Sequence, residues 1–244
     1  MGLFFFLCLG TCLALEFQEE KSNPREIILK AIDAHGGMKK LSTHRADKTK
    51  TKGKIQFAGL EAEFEGNLTV RLPDQLKSVH KMMIKGEVVT LVQVYSQGKI
   101  SHLINGQPLK VEGPVAVQIQ ETMRLARLIR LLPLLNDKGL ELTRLGDVKA
   151  GEKTLRVVKI SEKGKGDVAF LFDSQTGFLV KTEMERDFEG KKVLQEDYFF
   201  DFRNLGGFIR PVKIQTHRGG KKILDAEMVE VRYFESLPDT EFAP

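Results

Sequence analysis

Residues 61–72 read EAEFEGNLTVRL, with Ala62, Phe64, Gly66, Leu68, Val70 and Leu72 at alternate positions. Between them stand Glu61, Glu63, Glu65, Asn67, Thr69 and Arg71. A period of two held this long describes a β-strand with one dry and one wet face. At ~3.3 Å per residue it spans roughly 40 Å, about twice the common strand length. Strands of this length twist and curl, so the stretch points to a large curved antiparallel sheet.

The flanking sequence continues the pattern. Lys50–Phe57 leads through Ala58-Gly59 into the long strand, and Pro73-Asp74 turns the chain into Gln75–Lys85. Lys85-Gly86 introduces Glu87–Tyr95, Gln97-Gly98 introduces Lys99–Ile104, and Asn105-Gly106 is a strong hairpin signal. A second β set occupies Leu140 to Phe234, with strands at Leu155–Ser161, Asp167–Asp173, Phe178–Asp187, Lys192–Asn204, Val212–Arg218 and Lys221–Glu235. Loops this short between neighbours imply an antiparallel meander.

Two segments break the β pattern. Asn23 as N-cap and Pro24 open a helix whose stripe is Ile27, Ile28, Ala31, Ile32 and Ala34, and Gly36-Gly37 closes it before a short turn at Met38–Leu41. Residues 114–132 (PVAVQIQETMRLARLIRLL) read as a helix between Pro114 and Pro133, with Arg124, Arg127 and Arg130 along one side. Such a basic amphipathic helix lies on an anionic membrane surface or covers the concave face of a sheet with its arginines toward water. The fold class is α+β: a large curved antiparallel sheet whose concave side is covered by helices.

The first residues bound the compartment. Leu3–Leu15 is uncharged, long enough for a signal-peptide core and too short to span a bilayer. The basic n-region is absent. Cleavage after Ala14 places Cys12 at −3, whereas a lipoprotein cut before Cys12 places Thr11 where Gly, Ala or Ser is usual. The domain reading is therefore a signal peptide at 1–14, a polar spacer at 15–22 and one half-barrel domain at 23–244. Both cysteines, Cys8 and Cys12, fall in the leader, so the mature chain has no disulfide, thiolate nucleophile or Cys-ligated zinc. An exported chain without cysteines looks bacterial. The net charge of +5 favours anionic surfaces without demanding them.

No catalytic signature stands out. His35, His44, His80, His102 and His217 show no metal-ligand spacing, and no phosphate-binding glycine loop, nucleophile elbow or dinucleotide fingerprint occurs. The basic run Arg45–Lys54 alternates Lys with Thr and reads as a wet strand face. A nucleic-acid surface would interleave aromatics. No cofactor is expected.

The segments KAIDAHGG (Lys30–Gly37), DSQTGFLVKTE (Asp173–Glu183), GKKVLQEDYFFDFRNLGGFIRPVKI (Gly190–Ile214) and GKKILDAEMVEVRYFESLPDTEFAP (Gly220–Pro244) resemble bacterial envelope proteins of the outer-membrane lipoprotein-sorting type. These are similar in fold to the Lol-type carriers. The resemblance implies an incomplete barrel of about eleven antiparallel strands wrapped around helices that plug its open side, with a sheet–helix cavity for a lipid or lipoprotein acyl chain. Candidate cavity residues are Phe64, Leu68 and Val70 on the long strand, Val92 and Val94 nearby, and Met123, Leu128 and Leu132 on the covering helix. The same residues could simply fill a core. The expected function is then non-enzymatic lipid or acyl-chain binding in the envelope, in service of lipoprotein transport. A scaffold with a filled interior, bound to an envelope protein or membrane surface, is the alternative. A hydrolase on an envelope substrate is a lesser one.

Overall fold

The computed structural model describes residues 23–244 apart from Ala58 and Glu189. The leader, its cleavage site, both cysteines and the spacer lie outside the described residues. Asn23 caps helix α1 (Pro24–Ala34) by accepting the Arg25 amide at 2.9 Å. Pro24 sits in the first turn, where a missing N–H leaves no bond unmade. After Gly36 and Gly37, both at positive φ, a short helix α2 (Met38–Thr43) leads into the sheet.

Among the described residues, thirteen strands form one open antiparallel sheet. Strands β1 (Ala46–Phe57), β2 (Leu60–Arg71), β3 (Gln75–Ile84), β4 (Glu87–Ser96), β5 (Lys99–Ile104) and β6 (Gln107–Pro108) step outward to one edge. Helices α3 (Gly113–Leu128) and α4 (Leu132–Asn136) carry the chain to the other edge. There β7 (Leu140–Ala150), β8 (Lys153–Glu162), β9 (Val168–Asp173), β10 (Leu179–Phe188), β11 (Lys191–Leu205), β12 (Phe208–Arg218) and β13 (Lys221–Phe234) step back inward. In the middle β13 pairs with β1 and joins the two halves.

The strand count corrects the expected eleven. The two additions are the edges. β6 is two residues long and ends in proline, which cannot donate to a further ladder. β7 has a register shift between Arg144 and Gly146, so its alternation is broken partway along the strand. The long helix is also corrected. Pro133 does not end it but opens α4, because α3 stops at Leu128 and Leu131 turns the chain at φ 67°. A leucine tolerates that left-handed backbone only where packing holds it, and Leu131 is buried.

Register sorts the side chains onto two faces. Phe64, Leu68 and Val70 stand opposite Met82, Ser78 and Leu76, and this face carries the helices. In the β8–β11 half, Val158, Ile160, Val168, Phe170 and Phe172 pack under Ile28 and Ile32 of α1, with Leu128, Leu132 and Leu134. Each such side chain contributes ~1.5–3 kcal/mol by burial, which makes this half the anchor of the fold. On the opposite face Leu237 and Phe242 of the C-terminal segment cover Ala46 and Val94. Arg71 fastens that segment through the Leu237 carbonyl and the Asp239 carboxylate, with its cation 5.4 Å from the Phe242 ring centre.

The basic run forms a wet face, as the alternation suggested. Lys48, Lys50, Lys52 and Lys54 pair with Glu241, Glu230, Glu227 and Glu61. Exposed pairs of this kind are worth ~0–1 kcal/mol each, so they keep the surface soluble more than they hold it together.

Candidate ligand site

Helix α3 lies over β2, β3 and β4. Its Met123 and Ala126 close on Val70 and Leu76, with Leu68 and Tyr95 half buried at the margin. Beyond the helix the same face continues as a second apolar cluster of Ala62, Phe64, Met82 and Ala226. Half-buried Ile55, Phe57, Ile84, Val89, Leu91 and Leu224 pack against it. Every member of that cluster comes from a strand, so among the described residues no helix side chain takes part in it. Gly66 sits between the two clusters because a Cβ there would stand 2.6 Å from the Thr51 hydroxyl and 2.9 Å from the His80 ring.

The eight candidate residues are thus divided. Phe64 belongs to the strand-only cluster, Leu68, Val70 and Met123 to the cluster beneath α3, and Leu128 and Leu132 to the core beneath α1. Val92 and Val94 are corrected: pairing places Val94 opposite Lys77 and Tyr95 opposite Leu76, so the two valines point to the other face, where they meet the C-terminal segment. Alternation within β4 was legible, but its phase relative to β2 depends on two successive turns.

The arginines of α3 are corrected as well. They do not face water. Arg124 and Arg130 are buried, and Arg127 bonds Asp137 and Glu162. Arg124 reaches Glu162 at 2.9 Å and the Gly166 carbonyl at 2.7 Å, and Arg130 reaches Asp47 at 3.1 Å. Apart from Glu121 on α3 itself, their acidic partners come from β1, β8 and the α4–β7 turn, distances no single-segment reading spans.

The spaces differ in kind. A small cavity of about 60 Å³ lies beside His35, Arg130, Leu179 and Phe199. A cleft of about 360 Å³ lies between α3 and the β2–β3 turn, lined by Met123, Tyr95, Arg124, Arg127 and Lys165 among others. An open groove of about 670 Å³ is lined largely by wet-face side chains, including Lys52, Glu63, Lys81 and Lys213. No group of three His, Cys, Asp or Glu residues among those described could hold a metal ion. No described helix is long and apolar enough to cross a membrane.

His35 is neither a surface nor a strand histidine. It caps α1 and is buried, with Nδ1 2.7 Å from the Ile209 carbonyl and Nε2 accepting the Leu179 amide at 3.3 Å. One proton, on Nδ1, satisfies both bonds, and burial pushes the pKa down to about 4. Below about pH 6.5 the unfolded chain therefore takes up a proton that the folded chain refuses, and stability falls as pH drops toward 4. The expected loss between pH 7 and pH 5 is about 2 kcal/mol from this group. Urea unfolding at the two pH values checks it: His35→Gln should show a clearly flatter pH dependence than the parent, and equal slopes would refute the assignment.

No family model matches the sequence, and no curated protein does. Solved structures do match in shape. A LolA superfamily protein from Nitrosomonas europaea superposes with a TM-score of 0.57 at 11% identity, covering 91% of this chain and 97% of that one. The fold is Lol-like. A domain assigned to outer membrane lipoprotein sorting, from Vibrio parahaemolyticus, gives 0.56 at 12% identity over 90% and 97% of the two chains. A DUF1329 family protein from Desulfovibrio piger gives 0.59 at 11% over 90% and 96%. At such identities the likeness concerns the Lol-like sheet and its covering helices, and carries no residue-level assignment.

Proposed function

We propose that this protein is a non-enzymatic, exported protein of the bacterial envelope that holds a lipid or lipoprotein acyl chain against the helix-covered face of its sheet, in service of lipoprotein transport. The observation that carries the reading is the strand-only apolar cluster around Phe64 and Met82, which extends past α3 with six half-buried hydrophobic neighbours. On the same face, across Gly66, Leu68, Val70 and Met123 belong to a second cluster, and the two together make an apolar strip suited to a flexible hydrocarbon. The Lol-like shape and the uncharged stretch Leu3–Leu15 support the same reading.

A second reading keeps the fold and envelope location but gives the protein a scaffold role with a filled interior. It is favoured by the core beneath α1, where the space of about 60 Å³ is well below the ~300–1,000 Å³ of common ligand pockets. For a hydrolase, the threonines that donate to carboxylates, Thr49 to Asp47 and Thr182 and Thr216 to Asp197, are buried away from any substrate.

Mass spectrometry of the purified protein, with uptake of a fluorescent fatty acid, decides between carrier and scaffold. The carrier reading expects bound lipid and saturable uptake. Leu91→Glu, at a half-buried position of the strip, should weaken uptake about tenfold with little change in melting. Met123→Arg should abolish uptake in a folded protein under the carrier reading and unfold it under the scaffold reading. Lipid-free protein with no uptake would overturn the carrier.

A further inference from the structure

We infer that the cleft beside α3 seats a compact anionic head group, so that the ligand is an amphiphile ending in a carboxylate or phosphate; this rests on the acyl-chain reading above. Three cations, Arg124, Arg127 and Lys165, line the cleft against two acids, Asp74 and Glu162. Glu162 is already engaged by Arg124 at 2.9 Å and Arg127 at 3.3 Å. Lys165 has no ion-pair partner among the described residues and is exposed at the cleft.

Arg124 supplies the independent observation. Its side chain is only 6% exposed. Nε bonds Glu162 at 2.9 Å, and Nη1 bonds the Gly166 carbonyl at 2.7 Å and Glu121 at 3.3 Å. Nη2 is buried with no acceptor. Buried guanidinium donors without acceptors are costly, and an anionic oxygen is the partner they bind best.

The cleft also adjoins the oily strip. Met123 and Tyr95 line it while packing in the cluster of Val70 and Leu76. A head group on Arg124 and Lys165 therefore leaves its tail at Met123 and Tyr95, where the cleft meets the helix-covered face.

The test is competition against a fluorescent fatty acid by dodecanoate, dodecyl phosphate and dodecanol, with inorganic phosphate and acetate as tail-free probes. Both anionic amphiphiles should compete at least tenfold better than dodecanol. Lys165→Glu, at an exposed site that leaves the fold intact, should erase that preference without changing dodecanol binding; Arg124→Gln should do the same if its melting shows it folded. Equal competition by dodecanol, or Lys165→Glu weakening all three equally, overturns the head-group site while leaving acyl binding standing. Inorganic phosphate competing as well as dodecyl phosphate would make the cleft a free-anion site and overturn the amphiphile. If no dodecyl compound competes and the fatty acid itself does not bind, the acyl-chain reading fails first.

Discussion

Replacing Gly53 by alanine is expected to destabilise the protein by about 3 kcal/mol or more, the upper end of what overpacking usually costs. Gly53 lies on β1 between Phe64 of β2 and Ala226 of β13. A Cβ there would stand 2.0 Å from the Asp225 carbonyl oxygen and 2.9 Å from the Ala226 Cα. Both obstacles are backbone and cannot rotate aside. The added methyl must push β13 away from β1, along the ladder that joins the two halves of the sheet. For a chain of this size ~1 kcal/mol moves the melting temperature by about 2–4 °C, so a fall of roughly 10 °C is expected by circular dichroism. A variant melting within a degree or two of the parent would show that the strands do not approach so closely.

Breaking the Asp47–Arg130 pair from one side should have a comparable effect. Asp47 and Arg130 are both nearly inaccessible, joined at 3.1 Å through Nε and again through Nη2. Arg130 also bonds the Ala126 carbonyl, and Thr49 donates to the other Asp47 oxygen at 3.1 Å. Arg130→Met leaves a carboxylate buried without its counter-ion and should cost ~3–5 kcal/mol. The double variant Asp47→Leu/Arg130→Met removes both charges and should recover most of that loss. Denaturant unfolding of the four proteins measures the coupling, and a double variant as unstable as the sum of the singles would refute it. What the pair does in the fold is positional: it pins the end of α3 to the central strand, just before the chain bends at Leu131 into α4.

The meander was legible because its signals are local. Gly-containing turns and period-two runs mark β2 to β5 and β8 to β13 within a few residues of where they occur. The Gly-Lys-Lys runs at 190–192 and 220–222 stand where β11 and β13 begin. What depends on pairing was not legible. Val92 and Val94 alternate correctly, yet whether they share a face with Phe64 is decided across two turns. Edge strands β6 and β7 escaped because one has two residues and the other a shifted register. Charges on α3 misled for a related reason. An arginine every third residue looks like a solvated face until Asp47 and Glu162 arrive from elsewhere in the chain. The cleft lining was out of reach because Arg124, Tyr95 and Lys165 come from three separate segments.

The pairing of β1 with β13 also bears on how the molecule comes together. Ala46 meets Phe234 there, so the contact joins opposite ends of the described chain. Each outer run of hairpins needs only neighbouring residues to form, whereas this central junction closes a loop of nearly the entire domain and pays the entropy of doing so. Until β13 is in place, β1 has one side unpaired. Its lysine-rich outer row is then well placed to discourage wrong partners during that interval.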